Sequence, residues 1–155
     1  MTRPPHVEKV QHEGLRFHVE RRGHGPTVLL LHGFPDDLRL WSAVAPRLEV
    51  AGFHVIALDQ RGCGASDAPA GLQHYHIDRL VGDAAGVLKA LGSHPPVHVL
   101  GHDWGAVVTW CLSITRPEIV RLRAPRAECP AAARRRRRPA QRPMRQASQA
   151  IVLPC

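Results

Sequence analysis

The stretch Val97-His98-Val99-Leu100-Gly101-His102-Asp103-Trp104-Gly105-Ala106 constrains this chain more than any other. Its four leading residues, rich in Val and Leu, predict a buried strand. A Gly-x-Asp-x-Gly turn follows, and residues 106–114 continue as an apolar helix. A strand that turns straight into a helix makes a sharp corner and holds the side chain at its apex, Asp103, out beyond the end of the sheet. The corner drives Asp103 towards positive φ, which Asp tolerates better than most residues. Gly101 and Gly105 flank it because strand and helix approach too closely there for a Cβ.

Such a corner is a nucleophile elbow, and its usual occupant is Ser. Asp changes the chemistry. A Ser oxygen that attacks a saturated carbon leaves an ether, which water does not readily cleave. A carboxylate attacking the same carbon leaves an ester, which hydrolysis at its carbonyl can reverse. An elbow carrying Asp103 therefore points to substitution at carbon, such as epoxide opening or halide displacement, and away from ordinary ester hydrolysis. The competing reading of the turn alone is a surface Asp in a tight βα connection, so its context has to decide.

Charge is distributed unevenly. Residues 1–120 hold 11 Lys and Arg against 12 Asp and Glu, whereas residues 121–155 hold 10 Arg against the single acid Glu128. The net charge of +8 thus belongs to a basic tail on a nearly neutral domain. At 155 residues, 44% of them hydrophobic, the chain can form one domain with a core. The start, Met1-Thr2-Arg3-Pro4-Pro5, has no apolar targeting segment, and no run approaches membrane-spanning length. Cys63, Cys111, Cys129 and Cys155 form no ligand or disulfide pattern. A reduced, cytoplasmic protein with no membrane association, no metal and no cofactor is the expectation.

From the N-terminus, residues 7–11 and 15–20 alternate around Glu13-Gly14 and predict an antiparallel hairpin. Residues 27–31, Thr-Val-Leu-Leu-Leu, predict a strand of the buried parallel kind. Residues 38–50 predict one amphipathic helix with Trp41, Val44, Ala45 and Leu48 on its stripe. A second buried strand follows over 53–58, then a helix over 77–91 with Leu80, Val81, Ala84, Val87, Leu88 and Leu91 inward. A hairpin followed by βα units gives an α/β fold with a mostly parallel sheet and flanking helices.

Ligands of open α/β sheets bind beyond the carboxyl ends of the strands. His32-Gly33-Phe34-Pro35 stands at one such end. Gly33 lets the backbone turn inward, Pro35 stiffens it, and the amides of Phe34 and Trp104 can converge on one oxygen. Such an oxyanion hole would stabilise the charge that forms when water attacks an Asp103 ester. A simple turn is the plainer reading of these four residues. The loop from Asp59 to Asp67 reads as structural, with Asp59 and Arg61 expected to pair across it. Its Gly62-Cys63-Gly64 is not a dinucleotide fingerprint, since no helix starts there and no third Gly is correctly spaced.

Taken together, His32-Gly33-Phe34-Pro35, Asp59-Gln60-Arg61-Gly62-Cys63-Gly64-Ala65-Ser66 and Gly101-His102-Asp103-Trp104-Gly105 resemble the α/β-hydrolase superfamily, in the branch of epoxide hydrolases and haloalkane dehalogenases. The resemblance covers residues 7–122, the N-terminal half of such a domain. It implies Asp103 as nucleophile, Phe34 and Trp104 as oxyanion amides, and Phe34, Pro35 and Trp104 as walls of a pocket for a small epoxide or alkyl halide. His32, Gly33, Gly101, His102 and Gly105 would support the site. Haloalkane dehalogenases usually carry Asn where Phe34 stands, so Phe34 favours epoxide hydrolysis, although fluoroacetate-type dehalogenases share His-Gly-Phe-Pro.

The departures are equally specific. The superfamily order is nucleophile, acid, His, yet the last His here is His102, and only Glu118 and Glu128 supply acids after Asp103. His102 neighbours Asp103 and is expected to point away, and His32 is expected to brace its loop. The single Tyr is Tyr75, so the Tyr residues of the family's cap have no counterpart. The expectation is a hydrolase fragment that is inactive alone. Residues 123–155 read as an unfolded basic tail or as the product of a shifted reading frame. Arg134 to Arg138 could hold polyanions, but no aromatic interleaves them, so no specific nucleic-acid binding is expected. Oligomeric state is not encoded in any feature of the sequence.

Overall fold

The computed structural model describes residues 4–121; the basic tail expected over 123–155 lies outside them. Strand β1 (His6–His12) and β2 (Leu15–Arg22) form the hairpin. Its two-residue turn, Glu13-Gly14, has φ of 47° and 78°, the left-handed pair whose twist matches that of the flanking strands. The other strands are β3 (Thr27–Leu31), β4 (His54–Leu58) and β5 (His98–Gly101). Their order across the sheet is β1-β2-β4-β3-β5. The hairpin joins β4 antiparallel, and β4, β3 and β5 run parallel. β3 is therefore central, with Leu31 paired to Leu58 on one side and Gly101 on the other.

Both faces of β3 and β4 are covered, which is why these two strands read as unbroken apolar runs. Val28, Leu30, Val55 and Ala57 face one way, onto Leu38, Trp41 and Ala45. Leu29, Leu31, Ile56 and Leu58 face the other, onto helix α2 (Ile77–Ala90) and helix α3 (Trp104–Thr115). At roughly 1.5–3 kcal/mol per buried Leu or Ile, this second layer is the main apolar contribution to the fold. Of the six positions expected to face inward on α2, Leu80, Val81, Ala84, Val87 and Leu88 are buried and Leu91 is partly so.

The single helix expected over 38–50 is two elements. A 3-10 helix spans Leu38–Ala43, and α1 spans Ala45–Val50. Pro46 sits in the first turn of α1; without an N–H it cannot donate to a carbonyl four residues back, so the α-helix starts anew beside it. Three residues per 3-10 turn put Leu38 and Trp41 on the buried side. Val44, expected on the stripe, falls at the junction and is exposed.

Arg61 does not pair with Asp59. Its Nε and Nη2 donate to the two carboxylate oxygens of Asp83 on α2, at 2.5 and 2.6 Å, and Nη1 donates to the carbonyl of His74 at 2.7 Å. Both side chains are buried. Burial pushes the Asp83 carboxyl above its ordinary value, and the Arg61 bonds pull against that. Asp59 turns instead to His18, whose Nδ1 lies 2.8 Å from Oδ2. Cys111 is a free thiol. No described helix is long and apolar enough to cross a membrane.

Candidate active site

The parallel strands end together, and three loops meet there. β5 runs into the corner at Asp103, which has φ 51° and ψ −121°. The corner closes on β3: the N–H of His102 donates to the Leu31 carbonyl at 3.0 Å. A Cβ on Gly105 would collide with that same carbonyl. The side chain of Asp103 is exposed at the apex.

Directly opposite lies the loop that leaves β3. The backbone N–H of Phe34 donates to Asp103 Oδ1 at 3.1 Å. The backbone N–H of Trp104 also lowers the proton affinity of the carboxylate. First the Trp104 and then the Phe34 amide hold the Asp103 carboxyl below the ordinary carboxylate range, and the nearby His102 adds to this. Gly33 permits the approach, because a Cβ there would strike Asp103 itself. The Phe34–Pro35 peptide is cis, and Asp36 N–H closes a turn onto the Gly33 carbonyl at 3.1 Å.

His32 anchors this loop from beneath. It is 0% exposed. Its Nδ1 is 2.8 Å from the Gly33 carbonyl, and its Nε2 accepts the Gln60 N–H at 3.0 Å. A carbonyl only accepts and an amide N–H only donates, so the proton sits on Nδ1. With both ring nitrogens engaged, His32 is a support and has no free nitrogen for a reacting water. Gln60 adds a bond from Nε2 to the His32 carbonyl. Asp59 fixes the far end of the loop, accepting the N–H groups of Leu38 at 2.7 Å and Ala65 at 2.9 Å.

The structure thus brings Phe34, Asp103 and Trp104 together, with His32, Gly33 and Gly105 supporting them. Phe34 is 49% exposed beside the carboxylate, and the Trp104 ring packs partly against the core. His102 is exposed. Sequence reasoning missed the role of Gln60 and gave Asp59 the wrong partner. Their position immediately after a buried strand, at the same sheet end as His32, was the available signal. A cavity of about 640 Å³ beside Arg21, Arg22 and His54 contains none of these residues and belongs to the opposite end of the strands. Among the described residues no cluster of three or more His, Cys, Asp or Glu could hold a metal ion.

Comparison with known proteins gives the same frame. The family whose model matches residues 26–121 is the α/β hydrolase fold, and the chain belongs to that family. Within it the likeness is to the epoxide-hydrolase branch. The chain is 44% identical over 108 residues to epoxide hydrolase A of Mycobacterium tuberculosis, covering 68% of this chain and 33% of that protein. It is 41% identical over 108 residues to bifunctional epoxide hydrolase 2 of Sus scrofa, covering 70% of this chain and 19% of that one. The crystal structure of epoxide hydrolase VrEH1 from Vigna radiata superposes with a TM-score of 0.73 at 38% identity, covering 76% of this chain and 38% of that structure. This chain therefore spans well under half the length of these relatives.

Proposed function

We propose that Asp103 is the nucleophile of an epoxide-opening site and that this chain carries the alkylation half of the reaction. The observation that carries the reading is the Phe34 N–H bonded to Asp103 Oδ1, with the Trp104 amide also favouring the ionised carboxylate. They keep it ionised and aimed. A carboxylate oxygen attacks an epoxide carbon, the ring C–O bond breaks, and the resulting alkoxide takes a proton from water. The product is a hydroxyalkyl ester of Asp103. Oδ1, the oxygen bonded to Phe34, stays behind as the ester carbonyl. When water adds there, the negative charge develops on an oxygen already facing an N–H donor. Collapse returns the carboxylate and a diol.

Ester hydrolysis needs a base within about 3 Å of that water. His32 is fully engaged, no His follows Asp103, and the Tyr75 hydroxyl donates to the Pro69 carbonyl at 2.9 Å. In this chain alone the ester is the endpoint. An epoxide suits the site better than an alkyl halide because Phe34 offers no side-chain donor to a leaving halide.

Intact-mass and peptide mass spectrometry after incubation with styrene oxide test both halves. One adduct per chain on Asp103, absent from Asp103→Asn, is expected. Adduction at another residue with equal stoichiometry would overturn the assignment. Continuous diol release that Asp103→Asn abolishes would overturn the arrest at the ester.

A further inference from the structure

A second cavity, of about 430 Å³, lies at the other end of β5 from Asp103, between the hairpin turn and the carboxyl ends of α2 and α3. Its volume falls in the range of small-molecule sites, roughly 300–1,000 Å³. Ala85, Leu88 and Ile119 give it an apolar floor. His12 forms one wall, seated so closely against α2 that a Cβ on Gly86 would collide with its ring. Lys89 and Arg116 stand on the rim, and among the described residues neither has a carboxylate partner. The carboxylate that does line the cavity, Glu13, is taken up by Arg79 at 3.4 Å and by His12 at 4.0 Å.

The plain explanation for the two cations is that each complements a helix carboxyl end. A helix end carries only about half a unit of negative charge, however, so the rim keeps a net positive charge. We propose that this cavity binds a small amphipathic acid, its hydrocarbon body on Ala85, Leu88 and Ile119 and its carboxylate held by Lys89 and Arg116. The site is independent of the chemistry at Asp103.

Calorimetric titration of the full 155-residue chain with octanoate, with octan-1-ol and with inorganic phosphate tests this. Octanoate should bind saturably at one site, and each of the other two probes, lacking either the charge or the tail, should bind about tenfold or more weakly. The double variant Lys89→Gln/Arg116→Gln should lose about tenfold or more for octanoate, and Ala85→Phe should fill the floor and abolish binding. Circular dichroism checks that the variants fold. Should they not, amide shift mapping of the unmodified chain decides. Shifts confined to Gly86, Gly92, Ser93 and their neighbours support the site. Shifts elsewhere, no saturable binding, octanoate affinity unchanged in both variants, or phosphate binding as tightly as octanoate would each overturn it.

Discussion

The backbone N–H of Phe34 lies 3.1 Å from Oδ1 of Asp103, across 69 residues of chain. Gly33 makes this possible, since a Cβ there would occupy the space of the Asp103 side chain. Gly33→Ala should therefore push the two loops apart while leaving the sheet intact. A misplacement of about 1 Å costs on the order of 100-fold in rate. Alkylation of Asp103 by styrene oxide should fall by that order, with an unchanged circular dichroism spectrum. Alkylation at the original rate would show that the Phe34 amide does not position the nucleophile.

The Trp104 amide, and after it the Phe34 amide, set the titration of the site. Asp103 is held below 3.8, its ordinary value, by the Trp104 and Phe34 amides. Because the folded value is depressed, the stabilising contribution of this carboxylate is fully present above the unfolded value. It is lost as pH falls through the folded one. A carbon-detected NMR titration should place the Asp103 midpoint below 3.8 and move it upward in Gly33→Ala. Alkylation should accordingly show no acid limb between pH 8 and about 5. A midpoint at or above the ordinary value would contradict the hydrogen-bonded geometry.

Arg61 and Asp83 form a buried pair, and such pairs are costly to break from one side. Arg61→Met leaves Asp83 uncompensated and should destabilise the domain by about 3–5 kcal/mol. Adding Asp83→Leu should recover most of that loss. Urea denaturation of the three variants checks it, and additive destabilisation in the double variant would refute the coupling.

This pair also marks where sequence reasoning stopped. The strand–turn–helix corner at Asp103, the turn after β3 and the inward face of α2 were legible because each depends on neighbours within a few residues. Asp83 was legible in part: it lies three residues after Leu80 and four before Val87, on the apolar face of its helix, where a lone carboxylate demands a partner. Which cation answers it depends on how the loop after β4 folds over α2, and no local pattern encodes that. Asp59 and Arg61, two residues apart, suggested each other, whereas one turns to His18 and the other to α2. The break at Pro46 was written in the sequence, but the strong apolar spacing on both sides concealed it.

Helix α3 exposes Val107, Trp110 and Ile114 at helical spacing, with Trp110 at 69% and Ile114 at 63%. An apolar stripe of this kind promotes self-association. Trp110→Gln/Ile114→Lys should raise the soluble yield while changing stability by no more than about 0.5 kcal/mol. Light scattering and denaturation would measure the two effects, and a large loss of stability would show that the stripe is packed against something in solution.

The last prediction concerns the coding DNA. Val97 pairs in parallel with Val120, its N–H bonded to the Ile119 carbonyl and its own carbonyl to the Arg121 N–H. A strand thus begins to add to the outer edge of β5, and its continuation should be apolar, as β3 and β4 are. The sequence instead continues Leu122-Arg123-Ala124-Pro125-Arg126-Ala127-Glu128-Cys129-Pro130. Residues 125–130 can be encoded CCT CGT GCT GAA TGC CCC. Removing the first base gives CTC GTG CTG AAT GCC CC, which reads Leu-Val-Leu-Asn-Ala-Pro, an apolar strand closed by a polar turn. The Glu and Cys codons constrain this most, permitting only Asn or Ser and then Ala or Val. The nucleotide sequence should therefore carry a one-base insertion near codons 124–125. The corrected frame should run on to Tyr residues, an acid and a late His. That His would supply the base that ester hydrolysis at Asp103 requires. A corrected frame that soon stops, or that contains no His, would refute this account and leave the Arg-rich segment as the protein's own.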